Sequence, residues 1–267
     1  MKLRPIAAIT LRQLYLMRIS PVRILPMVSW VAIDMIVWGF MSRYLNSVTG
    51  SGINFISTLL GAVLFWDLFT RIMQGVTLAF FEDVWSRNFV NVFATPLLIS
   101  EYLSGLIVTA TGTSLLGLIV MLVMATTLFG LPFFSLGLLL IPFLLILFLF
   151  GIAFGVLASA MVLRFGPASE WLVWPIPAML SPFVGVFYPL SALPAWMRAV
   201  GYVLPPAYVF ENMRAIVVGR SYSFSDMLIG VALAMLYLML SAWLFTRVYA
   251  YAVRSGLLAR YSAESVS

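Results

Sequence analysis

From residue 102 to residue 129, and again from 136 to 163, the chain runs without one charged side chain. As α-helix each run would be about 42 Å long, more than the ~30 Å hydrocarbon core of a bilayer. A water-soluble domain has no surface on which to place such segments. In lipid they are favoured, provided every backbone amide and carbonyl is satisfied within the segment, which selects the helix. The rest of the chain follows the same rule: charged residues make up 9% of 267 and hydrophobic residues 63%, where soluble domains carry about 25% charged residues. The expected fold class is therefore an all-α membrane protein.

The apolar runs and their interruptions predict one transmembrane domain over 1–267 with six transmembrane helices, at 24–43, 55–80, 102–129, 136–163, 171–190 and 227–250. Prolines at 175, 177, 182 and 189 break the fifth. Ahead of the first, residues 1–23 carry Lys2, Arg4, Arg12, Arg18 and Arg23, with apolar residues at helical spacing between them. That pattern predicts an amphipathic helix lying in the membrane interface. With the N-terminus placed inside, ten basic residues fall on the cytoplasmic side and four outside. The positive-inside rule then puts both termini in the cytoplasm.

Several chemistries are excluded. The chain has no cysteine and no histidine, and its one lysine is Lys2. Thiolate nucleophiles, histidine bases and zinc sites need residues it lacks, and a Walker phosphate loop needs a lysine after glycines deep in the chain. No catalytic residue and no metal ligand is expected. The net charge of +6 reflects orientation in the membrane and not nucleic-acid binding.

Four features carry information. Residues 82–97 form an amphipathic cytoplasmic segment: Glu82 and Asp83 open it, Trp85, Phe89 and Phe93 recur at helical spacing, Arg87 lies on another face, and Pro96 ends it. It suits either the lipid headgroups or a groove on a partner. Asp34, Asp67 and Arg71 place charge at similar depth, about 15 Å into the first span and about 14 Å from the inner end of the second. Charge there is costly unless paired, so Arg71 is expected to pair with Asp67, Asp34 or both, as a clamp between spans or as part of a gate or path. Gly151, Gly155 and Ser159 form a small-residue ridge for close helix packing. Residues 193–219 are too polar for a span and too apolar for a solvated loop. They predict two short re-entrant outer helices, split at Pro205–Pro206, with Glu211 and Arg214 able to pair.

The string Tyr188-Pro189-Leu190-Ser191-Ala192-Leu193-Pro194, followed by Trp196, Arg198, Pro205, Glu211 and Arg214, resembles the signature of type-2 ABC transporter permeases. So does the 82–97 segment, with Trp85-Ser86-Arg87-Asn88 and Thr95-Pro96-Leu97. The resemblance implies a permease in a bacterial inner membrane, paired with a second permease copy as a homodimer or heterodimer. Two copies of a separate ATP-binding subunit would hold the ATP and magnesium, and this chain would bind no cofactor. Segment 82–97 would be the coupling helix docked on that subunit, with Glu82, Asp83, Trp85, Arg87, Phe89, Phe93 and Pro96 as its site residues. The pathway would lie at the dimer interface, lined by Trp30, Trp38, Phe65, Trp66, Phe69, Phe183, Phe187 and Tyr188, and transport would be outward.

Aromatic walls suit an amphipathic small molecule or a lipid, and they suit sugar stacking too. Glycoconjugate or polysaccharide export therefore remains an alternative. A channel or a passive assembly scaffold outside the ABC class is a further alternative. A channel or secondary transporter would show paired broken spans, and only one is seen.

Overall fold

The computed structural model of the protein describes residues 3–19, 24–49, 55–86, 92 and 95–257. Among these it is all helix and turn, with no strand. The N-terminal helix α1 (Leu3–Ile19) is followed by α2 (Ile24–Thr49). A π-helical turn at Ile56–Leu60 leads into α3 (Gly61–Trp85), and α4 (Ile99–Phe129) comes next. A 3-10 stretch at Phe133–Leu139 leads into α5 (Leu140–Phe165). Four short helices follow: α6 (Glu170–Val173), α7 (Ile176–Val184), α8 (Ala195–Val203) and α9 (Pro205–Val217). The long helix α10 (Phe224–Arg254) ends the described chain.

Among the described residues, four helices are long and apolar enough to cross a membrane: Ile56–Trp85, Ile99–Phe129, Gly137–Phe165 and Phe224–Arg254. The predicted fifth span, 171–190, is not one continuous helix. Its longest piece, α7, has nine residues and reaches only about 14 Å. Pro175 and Pro177 each lack an amide donor where the helix would have to continue, Pro182 lacks one inside α7, and Gly185 turns the chain at φ 66°. The first span is helical, but α2 runs past residue 43 to Thr49. The polar residues of 46–49 continue the helix beyond the expected end of the span.

Helix α5 is the centre of the bundle, with α3 on one side and α10 on the other. Helix α4 packs on the far side of α3 and carries α1 and α2. Glycines explain the closeness of α3 and α5. A Cβ on Gly155 would lie 2.8 Å from Val76 Cβ and 2.9 Å from the Met73 carbonyl. One on Gly151 would lie 2.9 Å from Ile72 Cβ. The small-residue ridge is thus the contact surface, as its spacing predicts. Thr77, buried beside it, bonds the Met73 carbonyl at 2.8 Å and the Gly155 carbonyl at 3.3 Å. Helix α2 seats on α4 through a notch at Gly39 that holds the Phe129 ring.

The segment 193–219 divides where expected. Leu204 is extended, at φ −97° and ψ 117°, as a residue before proline must be, and Pro205 starts α9 without an amide to satisfy. Helix α9 lies against α10 and α5.

Candidate functional site

Three polar clusters stand out in this apolar body. The first lies on α3, with Asp34 of α2 in its field. Arg71 and Asp67, one turn apart, form an ion pair with side chains 12% and 14% exposed. Asp34 on α2 is within Coulombic range of both. Of the two expected partners, Arg71 therefore takes Asp67 directly and Asp34 through space. Helix α4 makes room for the guanidinium: a Cβ on Gly117 would lie 3.2 Å from Arg71 Cδ and 3.4 Å from Nε. Because α3 continues past residue 80, Arg71 lies fourteen residues before the end at Trp85, about 21 Å along the helix.

The second cluster was not foreseen. Asp83, 1% exposed, forms an ion pair with Arg12 of α1 and accepts a bond from Tyr102 Oη of α4 at 2.7 Å. Tyr102 is fully buried. One carboxylate thus gathers α1, α3 and α4 at a single point. Two expectations are corrected here. Glu82 and Asp83 do not open a new helix, since both lie in the last turn of α3, which runs to Trp85. Asp83 also faces inward and offers no surface to a partner. An acid in a last turn opposes the helix dipole, and Arg12 compensates it. The signal was present: an acid at that end of a helix calls for a cation, and a basic helix precedes it.

The third cluster holds the short helices α7, α8 and α9 together. Glu211 pairs with Arg214 at 2.7 Å, as expected, and also accepts the Leu190 amide at 2.8 Å. Arg214 Nη1 donates to the Gly185 carbonyl at 2.6 Å. Arg198 donates to the carbonyls of Ser191 and Leu193, at 3.1 and 3.0 Å. Two arginines and one glutamate therefore fix residues 185–194, which have almost no regular structure of their own.

The residues 6–218, from α1 through α9, match the family model described as ABC-2 type transporter. The chain belongs to the ABC-2 type transporter family. It is therefore a multi-pass membrane permease and a transport subunit, not itself catalytic, and permeases of this family work with ATP-binding subunits. No curated protein matches the chain significantly. Helix α10 lies beyond the matched residues.

On the permease, the expected coupling residues separate. Trp85 is 53% exposed at the end of α3, resting on Phe81 with ring centroids 5.7 Å apart. Pro96 is exposed just ahead of α4. Arg87, Phe89 and Phe93 lie outside the described residues. Helix α4 starts after them with Glu101 accepting the Leu98 amide at 3.3 Å.

The aromatic set also divides. Phe65 and Phe69 are fully buried, Phe65 against Phe133 and Phe143 and Phe69 against Phe150. Both belong to the core, on the α3 face packed on α5, and not to the surface where the pathway was expected. Trp66 is partly buried, between Phe69 and Phe210. Trp38 stacks on Phe187 at 4.8 Å and 11°, and Phe183 meets Trp196 edge-on at 6.2 Å. Tyr188 donates to the Pro182 carbonyl at 2.9 Å. Trp30 is 63% exposed on α2.

Proposed function

We propose that this permease is the membrane half of an ATP-driven exporter in a bacterial inner membrane. The observation that carries the reading is the family match, which takes in α1 through α9. In this reading the chain crosses the membrane six times, through α2, α3, α4, α5, the broken 170–190 stretch and α10, with both termini in the cytoplasm. Two copies pair, and two copies of a separate subunit bind ATP and magnesium. Trp85, Arg87 and the residues up to Pro96 dock on that subunit. Asp83, two residues before Trp85, is tied to α1 through Arg12 and to α4 through Tyr102, so that force applied at the end of α3 enters three helices at once. The cargo is an amphipathic small molecule, lipid or glycoconjugate moved outward.

Purification of the tagged chain from native membranes in mild detergent, with mass spectrometry of its companions, tests the reading. A stoichiometric soluble subunit carrying a Walker lysine, lost on Trp85→Ala with Arg87→Ala, is the expected result. The permease alone, with no ATPase in any fraction, would refute it.

A further inference from the structure

The cluster on α2 and α3 has one guanidinium for two carboxylates. Arg71 is engaged by Asp67, and both side chains are largely buried. No hydrogen bond or ion pair reaches Asp34 among the described residues, although it lies in the field of both groups. With both carboxylates ionised the trio is left one negative charge in excess, about 15 Å into a helix surrounded by apolar side chains. Such a charge is unfavourable unless something neutralises it.

The neighbours of Asp34 on its own helix say what. Trp30 and Trp38 lie one turn before and one turn after it, and so on its face. Trp38 is held flat against Phe187 from the stretch after α7. Trp30 presents most of its ring to the surroundings, and Ile33 and Val37 beside it are exposed. A carboxylate flanked by indole rings attracts a cation twice, by charge and through the ring quadrupoles. A bare metal ion would need several oxygen ligands, and no group of three such side chains occurs among the described residues. A large, weakly hydrated cation with apolar arms meets every element of this surface.

We propose that Asp34, between Trp30 and Trp38, receives the cationic head of an amphipathic organic cation, such as a quaternary ammonium or phosphonium. This deepens the export reading and rests on it by naming the class of cargo.

The test is calorimetric titration of the full-length chain in phosphatidylglycerol nanodiscs with tetraphenylphosphonium, beside neutral triphenylphosphine oxide. The expected result is saturable binding of the cation, at least about tenfold weaker in Asp34→Asn and about threefold or more weaker in Trp30→Ala, and preserved in Asp34→Glu. The neutral compound is expected to bind weakly and equally to all four. Monodisperse elution of each variant keeps folding out of the comparison. Loss of binding in phosphatidylcholine nanodiscs would assign the site to a choline headgroup, and equal binding in both lipids to a small cation. Equal affinity of wild type and Asp34→Asn, equal binding of the neutral compound, or no binding by folded wild type would overturn the proposal. No ATPase subunit enters this titration. A captured ATPase with no cation binding therefore sinks this inference alone, and cation binding with no ATPase sinks the export reading.

Discussion

Removing Arg12 and removing Asp83 break the same ion pair, yet the two losses are unequal. Asp83 is 1% exposed while the Arg12 side chain is 27% exposed. In Arg12→Ala the carboxylate stays buried, with the Tyr102 hydroxyl at 2.7 Å as its remaining described donor. Stranding a buried charge costs about 3–5 kcal/mol, and the Tyr102 bond returns about 1–2 kcal/mol of that, leaving about 2–3 kcal/mol. In Asp83→Asn the amide oxygen still accepts from Tyr102, and Arg12 can swing its head toward water while its stem stays packed. That variant should lose about 1 kcal/mol. The double variant has no stranded charge, so it should lie near Asp83→Asn, about 2–3 kcal/mol more stable than the sum of the singles implies. Detergent-titration unfolding of the four proteins, followed by far-UV circular dichroism, measures the cycle. Equal losses in the two single variants, or strict additivity in the double, would refute the account of Asp83 as a charge that Arg12 compensates.

The α3–α5 seam predicts a contrast between glycines: Gly155→Ala meets Val76 Cβ and a backbone carbonyl below 3.0 Å and should cost about 1–3 kcal/mol, whereas Gly112→Ala meets nothing within 4 Å and should be neutral or stabilising by up to ~1 kcal/mol. Thermal midpoints in one detergent compare them. At the Glu211–Arg214 hub, Arg214→Lys should fail to restore what Arg214→Ala loses, since one ammonium cannot span Glu211 and the Gly185 carbonyl as the guanidinium fork does; faster proteolysis within 185–194 in both variants reports it. Arg71→Ala should cost more than Arg71→Ala combined with Asp67→Asn, because the single change leaves Asp67 unpaired in a largely buried position, and the yield of monodisperse protein after extraction is the readout.

Features whose physics is local were legible in the sequence. The Gly151–Gly155–Ser159 ridge, the Asp67–Arg71 and Glu211–Arg214 pairs at helical spacing, and the break before Pro205 each need only a neighbour within one or two turns. What escaped depends on contacts between distant segments. Arg12, Asp83 and Tyr102 come from three helices, and only the packing of α1 on α4 brings them together. The end of α3 was set too early because Glu82 and Asp83 resemble a helix start when Arg12 is not in view. Phe65 and Phe69 read equally well as wall or core until the α3 face that meets α5 is known. The fifth apolar stretch has the composition of a span, but Pro175, Pro177 and the left-handed Gly185 cut its helix short.

As the membrane half of an ATP-driven exporter, the proposed role, this chain would convert the work of an ATP-binding partner into movement of its own helices. The most direct measurement is ATP turnover by the purified assembly in liposomes, with wild-type permease and with Trp85→Ala. The account predicts vanadate-sensitive hydrolysis that depends on the permease and falls several-fold in Trp85→Ala although both proteins remain in the membrane. Hydrolysis indifferent to Trp85 and to the presence of the permease would contradict it.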